Sequence, residues 1–179
     1  MNIFFQALYF MLPAYLANMM PVFLKKVPLF DYPLDHGLRW RGKQIFGSHK
    51  TYRGLISGAL TGIITALLQK YLHRFLPSLP LLPYDDFSYP KMALIGLALG
   101  GGILLGDLAK SFFKRRLNIT DGGRFFPFDQ LDFLGALFFV SIFFVPPIPH
   151  LIVIFIASPL LSIIIDLIGY RLGLRDVWW

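Results

Sequence analysis

Cysteine is absent from this 179-residue chain, so neither a disulfide framework nor a thiolate metal site can form. Histidine is scarce and scattered. His36, His49, His73 and His150 share no ligand-like spacing, which argues against zinc. The first residues lack the basic start and the small-residue cleavage site of a secretory signal, so residues 1–24 read as a retained helix. Charge is also thin, at 15% of the residues. It leans one way, with 17 basic against 10 acidic residues and a net charge of +7. In a soluble chain that surplus would raise the question of nucleic acid. Here the basic residues lie between apolar runs, so membrane topology and phosphate binding are the better readings, and no nucleic-acid partner is expected.

Apolar residues fill the gap. They make up 56% of the chain, with a mean hydropathy of +0.62; ordinary soluble domains hold roughly 45–50%. The excess is gathered into long runs, which predicts a single-domain, all-α integral membrane protein. Five spans are expected, at about residues 2–24, 54–72, 92–108, 131–145 and 151–169. The first carries Pro13 and Pro21, which spanning helices tolerate but which usually bend them. In the third, Gly96 and Gly100, then Gly102 and Gly106, stand four apart, a spacing that lets helix backbones pack closely. Residues 73–90 form a proline-bearing loop with the Asp85-Asp86 pair, and Trp178-Trp179 suit an interfacial anchor. Fourteen of the basic residues fall on one side of this arrangement; Lys70, Arg74 and Lys91 fall on the other. Positive residues stay cytoplasmic. The N-terminus is therefore expected outside, the C-terminus inside, and the charged loops 25–53 and 109–130 in the cytoplasm.

The stretch from Gly106 to Asp132 gathers the chemistry. Asp107, Lys110, Ser111 and Lys114 stand three or four apart and share one helix face. Arg115 and Arg116 follow, then the Gly122-Gly123 turn, then Asp129 and Asp132, three apart. Each acid also has a purely structural role within reach. Asp107 can pair with Lys110. Asp129 can cap the fourth span, and Asp132 can sit favourably in its first turn. Those roles leave unexplained why three acids and a basic group flank one short loop. Acids near a bilayer need partners, and carboxylates beside cations suit a metal ion holding a polyphosphate. With oxygen ligands and no sulfur, Mg²⁺ is favoured and Mn²⁺ is the alternative. The other charged loop ends Gly47-Ser48-His49-Lys50-Thr51-Tyr52-Arg53-Gly54. Glycine, hydroxyls and cations before a helix make a phosphate cradle, although not a P-loop, because the glycine spacing differs. Alternatively, its basic residues only set topology.

These motifs resemble the CDP-archaeol synthase family, archaeal relatives of the CDP-diacylglycerol synthases. The superfamily signature opens with serine, two residues, then Lys-Arg, as at Ser111, Lys114 and Arg115. Its Lys-Asp and glycine are matched by Thr120-Asp121 and Gly123, with threonine in place of lysine. Phe126-Pro127 follows, and Asp129-Gln130-Leu131-Asp132 keeps both acids of the closing Asp-Arg-x-Asp. The bacterial His-Gly-Gly segment is missing, leaving only Phe128. Ser48–Thr51 with Gly54 resembles a second motif, with Arg53 where bacterial relatives have an acid. Asp35-His36-Gly37 and Ile45-Phe46-Gly47 look like the archaeal branch.

The resemblance implies cytidylyl transfer. A glycerol phosphate carrying geranylgeranyl ether chains attacks the α-phosphorus of CTP and pyrophosphate leaves. It implies Asp107, Asp129 and Asp132 as metal ligands for one Mg²⁺ or a pair about 3.5–4 Å apart. Lys50, Lys110, Lys114 and Arg115 are the expected catalytic cations. Ser48, Lys50, Thr51, Arg53, Ser111, Lys114 and Arg115 are expected on the nucleotide and lipid phosphates. Arg116 and Arg124 read as topology or headgroup charges. Asp121 suits either the signature or a turn. Asp166 reads either as a partner to the site or as a snorkelling acid. A CDP-alcohol phosphotransferase is the rival enzyme, but Phe125-Phe126 stands where its motif needs Ala-Arg. A small lipid or ion transporter is the non-enzymatic rival; it lacks an apparent inverted repeat, and its charges lie at one surface.

Overall fold

The computed structural model describes residues 2–25, 27–76, 87–120, 122–174 and 177. The Asp85-Asp86 pair, Asp121, Lys26, Arg175 and the Trp178-Trp179 anchor lie outside the described residues. Among the described residues, four helices are long and apolar enough to cross a membrane: α1 (Ile3–Phe23), α2 (Tyr52–Phe75), α3 (Tyr89–Arg116) and α5 (Ile148–Arg171). Side chains start three of them. Asn2, Thr51 and Ser88 accept hydrogen bonds from the first-turn amides of α1, α2 and α3, supplying orphan donors with partners.

The fourth expected span departs from a plain helix. Its helix α4 covers only Phe133–Val140, eight residues, about 12 Å at the helical rise. Turns and extended chain follow from Ser141 to Pro147. Pro146 and Pro147 keep the chain extended up to the start of α5, since proline removes a donor and pushes its predecessor out of the helical region; the end of α4 at Val140 comes earlier. The segment still runs alongside α3 from Gly106 back to the start of that helix. It starts with Asp132 against Gly106, and it ends with the Phe144 ring edge-on to Phe87, 6.2 Å away, at the opposite end of α3.

Glycines set how closely the helices approach. A Cβ at Gly96 would lie 2.5 Å from the Gly62 carbonyl of α2, and one at Gly102 would lie 2.6 Å from the Gly135 carbonyl of α4. The two glycine pairs therefore serve opposite faces of α3, one toward α2 and one toward α4. The core between them holds Phe10, Met11, Met92, Ile95, Leu99 and Val140. Helix α5 lies alongside α1 in parallel, joined by Gln6–His150 at 3.0 Å and Tyr15–Ser158 at 2.7 Å.

Candidate active site

One end of the bundle opens into a cavity of about 740 Å³, within the usual range of ligand sites, ~300–1,000 Å³. All eleven residues singled out from the sequence line it: Ser48, Lys50, Thr51 and Arg53 from the first charged loop, Asp107, Lys110, Ser111, Lys114 and Arg115 from α3, and Asp129 and Asp132 beyond the turn. Local structure explains the convergence. Gly106 lets the Asp132 backbone approach, since a Cβ there would meet the Asp132 carbonyl at 2.6 Å. Asp129 sits in a single 3₁₀ turn, Phe128–Gln130, and its carboxylate accepts from the Phe125 amide at 2.6 Å. Neither acid caps α4: Asp132 holds the cap position without bonding a backbone amide.

Each of the three acids is paired with lysine. Lys50 bonds Asp107 across the loop–helix junction. Lys110 lies 3.2 Å from Asp107 and 2.8 Å from Asp132, and it donates to the Asp129 carbonyl at 3.0 Å. Lys114 reaches Asp129 at 2.6 Å and the Gly123 carbonyl at 2.7 Å. The Lys110, Asp129 and Asp132 side chains are largely out of solvent. Such buried charges require mutual compensation, because removing one partner costs about 3–5 kcal/mol. Among the described residues no three carboxylates or imidazoles form a ready-made metal centre; ammonium groups stand between the carboxylates. One oxygen is unclaimed. Asp132 Oδ1 is buried and has no hydrogen-bond partner, which an anionic ligand atom tolerates poorly unless a cation or donor comes to it.

Two expected cradle residues hold structural positions as well. The Thr51 hydroxyl caps α2, accepting from the Gly54 amide at 3.3 Å. Arg53 is paired with Asp31 at 2.8 Å and also donates to the Val27 carbonyl.

The first charged loop docks on the second through contacts the sequence reading did not foresee. Asp35 accepts from the amides of Gly37 at 3.0 Å, Phe46 at 3.0 Å and Gly47 at 3.3 Å. Burial pushes this carboxyl up, but those amides outweigh it and hold the group below the usual carboxylate range. Gly37 and Gly47 supply the left-handed backbone that the fold of the loop needs, at φ 75° and 101°. Arg116, expected as a topology or headgroup charge, instead clamps a small hairpin, β1 (Arg39–Trp40) and β2 (Lys43–Gln44). Its guanidinium donates to the carbonyls of Trp40 at 2.8 Å, Lys43 at 3.2 Å and Gln44, while Lys43 Nζ returns a bond to the Arg116 carbonyl at 2.8 Å. The Trp40 ring stacks on Phe112, with centroids 5.4 Å apart. Arg124 is exposed and lies over the Phe126 ring, 5.2 Å from its centroid. Asp166 is buried and lines the cavity.

Membrane-length helices with a cavity of interleaved lysines and aspartates at one end define a multi-pass membrane protein with a charged cavity at the end of its bundle. Comparison with known proteins narrows that class. The family described as CarS-like, CDP-archaeol synthase, matches residues 1–179. The CDP-archaeol synthase of Methanospirillum hungatei is 38% identical over 94% of this chain and 100% of its own length. That of Methanocaldococcus jannaschii is 36% identical over 99% and 98%, and that of Pyrococcus furiosus 33% over 97% and 97%. A solved intramembrane enzyme for archaeal membrane lipids biosynthesis superposes with a TM-score of 0.62 at 30% identity, over 89% of this chain and 92% of that one. The chain belongs to the CDP-archaeol synthase family.

Proposed function

We propose that this protein transfers the cytidylyl group of CTP to an isoprenoid diether glycerol phosphate, releasing pyrophosphate. An oxygen of the lipid phosphate forms the new bond to the α-phosphorus, and the bond from that phosphorus to the β-phosphate bridging oxygen breaks. A phosphate monoester has a second pKa near ~6 and is mostly dianionic at neutral pH, so the attack needs no general base. The barrier lies in bringing two anions together and stabilising the departing pyrophosphate, a task for fixed cations. Lys50, Lys110, Lys114 and Arg115 take that role, with Ser48, Ser111, Thr51 and Arg53 around the phosphates. The observation that carries this reading is the convergence of all eleven residues on one cavity at the end of the bundle.

The donor set fits a hard divalent cation, Mg²⁺ or Mn²⁺: carboxylates from two elements, one with an unclaimed buried oxygen. Asp132 would hold it with Asp107 and Asp129, as a single ion or a pair. When bound, it supplies charge that offsets the triphosphate. The lysines now paired with these acids are then available to the substrate phosphates.

The same reading, with positive residues kept cytoplasmic, gives the protein an orientation. The cavity and both charged loops face the cytoplasm, and α4 with its extended continuation makes a discontinuous fourth crossing, so the chain passes the membrane five times and ends inside. The test is purified protein in detergent with labelled CTP, Mg²⁺ and the diether glycerol phosphate. Pyrophosphate release that requires the lipid and is abolished by EDTA is expected; no release, or release without lipid, refutes the reading.

A further inference from the structure

A second, smaller cavity of about 30 Å³ lies between α1 and α5, walled in part by Tyr15, Gln130, Ser158 and Ser162. It is continuous with the main cavity in its walls: Asn18, Asp132, Ser162 and Asp166 line both. On α5, Ser158, Ser162 and Asp166 stand four apart, so they form one polar stripe in a run that is otherwise apolar. At the helical rise each step carries the stripe about 6 Å further from the main cavity and deeper into the bundle. The remaining walls, Met19, Ile103, Phe133 and Ile165, are apolar.

Polar groups inside a spanning bundle are expensive and mark functional paths. Hydrogen bonding between helices accounts for one pair here, the Tyr15 and Ser158 hydroxyls at 2.7 Å. It does not account for Gln130, which is 8% exposed and whose side-chain oxygen has no partner. A carboxamide unpaired at one end can turn to present either oxygen or NH₂ to a ligand. Ser162 adds a hydroxyl one turn from Asp166.

We propose that this cavity seats the glycerol neck of the acceptor lipid, with Tyr15, Ser158, Ser162 and Gln130 as hydrogen-bonding groups for its ether oxygens. The assignment rests on the acceptor reading above. With the phosphate in the cationic cavity, the neck is the next part of the molecule toward the hydrocarbon. It carries oxygens that only accept, and the cavity offers hydroxyl and amide donors on one side and apolar walls on the other. As folded, the space is on the scale of one water, so admitting the neck requires α5 to move away from α1. Helix α5 rests chiefly on α1 and the 128–130 turn, which leaves it the freedom to do so.

The test is binding, read apart from turnover. Thermal stabilisation of the detergent-purified protein is measured against a dialkyl-ether glycerol phosphate and against a long-chain alkyl phosphate with no glycerol. The wild type should bind the glycerol lipid more tightly. Ser158→Ala, Ser162→Ala and Tyr15→Phe should each weaken that ligand by about threefold to tenfold. The same variants should leave the alkyl phosphate and CTP unchanged. Ser162→Leu should remove the preference altogether by filling the space. Equal binding of the two lipids by the wild type overturns the subsite, as does a preference that survives in the serine variants. So does a parallel loss for CTP, which would mark a structural role. Should Tyr15→Phe fail to fold, the serine variants decide. Absent pyrophosphate release with an intact, variant-sensitive lipid preference would sink the proposed reaction and leave the subsite standing.

Discussion

Replacing Asp132 with asparagine separates the chemistry of the site from its architecture. Asp132 makes one charge-assisted bond, to Lys110 at 2.8 Å, and its other oxygen is unpartnered. Asparagine keeps an oxygen for Lys110 but loses the charge. The Lys110 ammonium stays charged, so its bond to the asparagine oxygen is still a hydrogen bond to a charged group, and because Asp107 remains paired to it Lys110 is not stranded; the loss in stability is about 1 kcal/mol, below the ~3–5 kcal/mol of leaving a buried charge without any partner. Lys110 retains Asp107 at 3.2 Å and the Asp129 carbonyl at 3.0 Å. Against a typical margin of about 5–15 kcal/mol, the folded population barely changes. Turnover should respond far more. Losing one preorganised electrostatic contact at a reacting centre costs about 10²–10³-fold, or ~2.7–4 kcal/mol. The assay is pyrophosphate release at saturating CTP and lipid over a range of Mg²⁺, beside the apparent melting temperature of the same preparation. The expected outcome is a protein that melts within a few degrees of wild type and turns over at least about a hundredfold more slowly. An asparagine variant with turnover within about threefold of wild type would remove Asp132 from the metal site and refute the reasoning.

Lys50→Ala should raise the KM for CTP by about tenfold, the equivalent of ~1.4 kcal/mol; an unchanged dependence of rate on CTP takes the first loop out of the site. Arg116→Ala should weaken CTP binding and expose the 39–44 hairpin to protease, and Arg116→Lys should not rescue it, because a single ammonium cannot fork across the three carbonyls that Arg116 meets. Rescue by lysine would reduce Arg116 to a general positive charge. Gly106→Ala should destabilise the bundle by about 1–3 kcal/mol through overpacking, seen as a lower melting temperature; a neutral result would show that α3 and α4 can part freely there. The Asp35 carboxyl is held below its ordinary range, so its amide bonds stabilise the loop fully above that range and are lost as pH falls through the lowered value. Protease sensitivity of residues 25–53 should therefore rise only in strong acid, and Asp35→Asn should be sensitive already at neutral pH.

Much of this was legible from residue types and intervals. The basic residues and the apolar runs marked out the helices, and the three- and four-residue steps from Asp107 to Lys114 put those side chains on one face that does line the cavity. The glycine pairs were read as packing, and they are, although nothing in their spacing says that Gly96 meets α2 while Gly102 meets α4. Hydropathy did not show how the fourth run is built, because it registers composition and not backbone. Residues 131–145 are apolar enough for a helix, yet α4 ends at Val140 well before the prolines that follow. The clamp made by Arg116 was out of reach for another reason. Its partners at Trp40, Lys43 and Gln44 lie more than seventy residues away, and a cation beside a span end has the same local signature whether it faces lipid headgroups or clamps a hairpin.

The interleaving of acids with lysines bears on how such a site can exist at a hydrocarbon edge. Three carboxylates gathered there alone would repel one another and resist burial, and so would the ammonium groups. Paired as they are, with Lys110 bridging Asp107 and Asp132 and with Lys114 on Asp129, each charge offsets its neighbour and the cavity stays folded before any substrate arrives. A metal nucleotide brings matched charges of its own. On the proposed reading its cation would be held by Asp107, Asp129 and Asp132 and its phosphates by the lysines, so one set of ion pairs would replace another and no buried charge would be stranded. That exchange makes a specific demand. Binding of CTP and of the divalent ion should be mutually dependent, because either one alone would break lysine–carboxylate pairs without supplying both replacements. Calorimetry should find each ligand weak by itself and at least about tenfold tighter with the other present, a coupling of ~1.4 kcal/mol or more. Independent binding of the two would mean that the lysines do not move, and the carboxylates would then be structural counter-charges and not ligands.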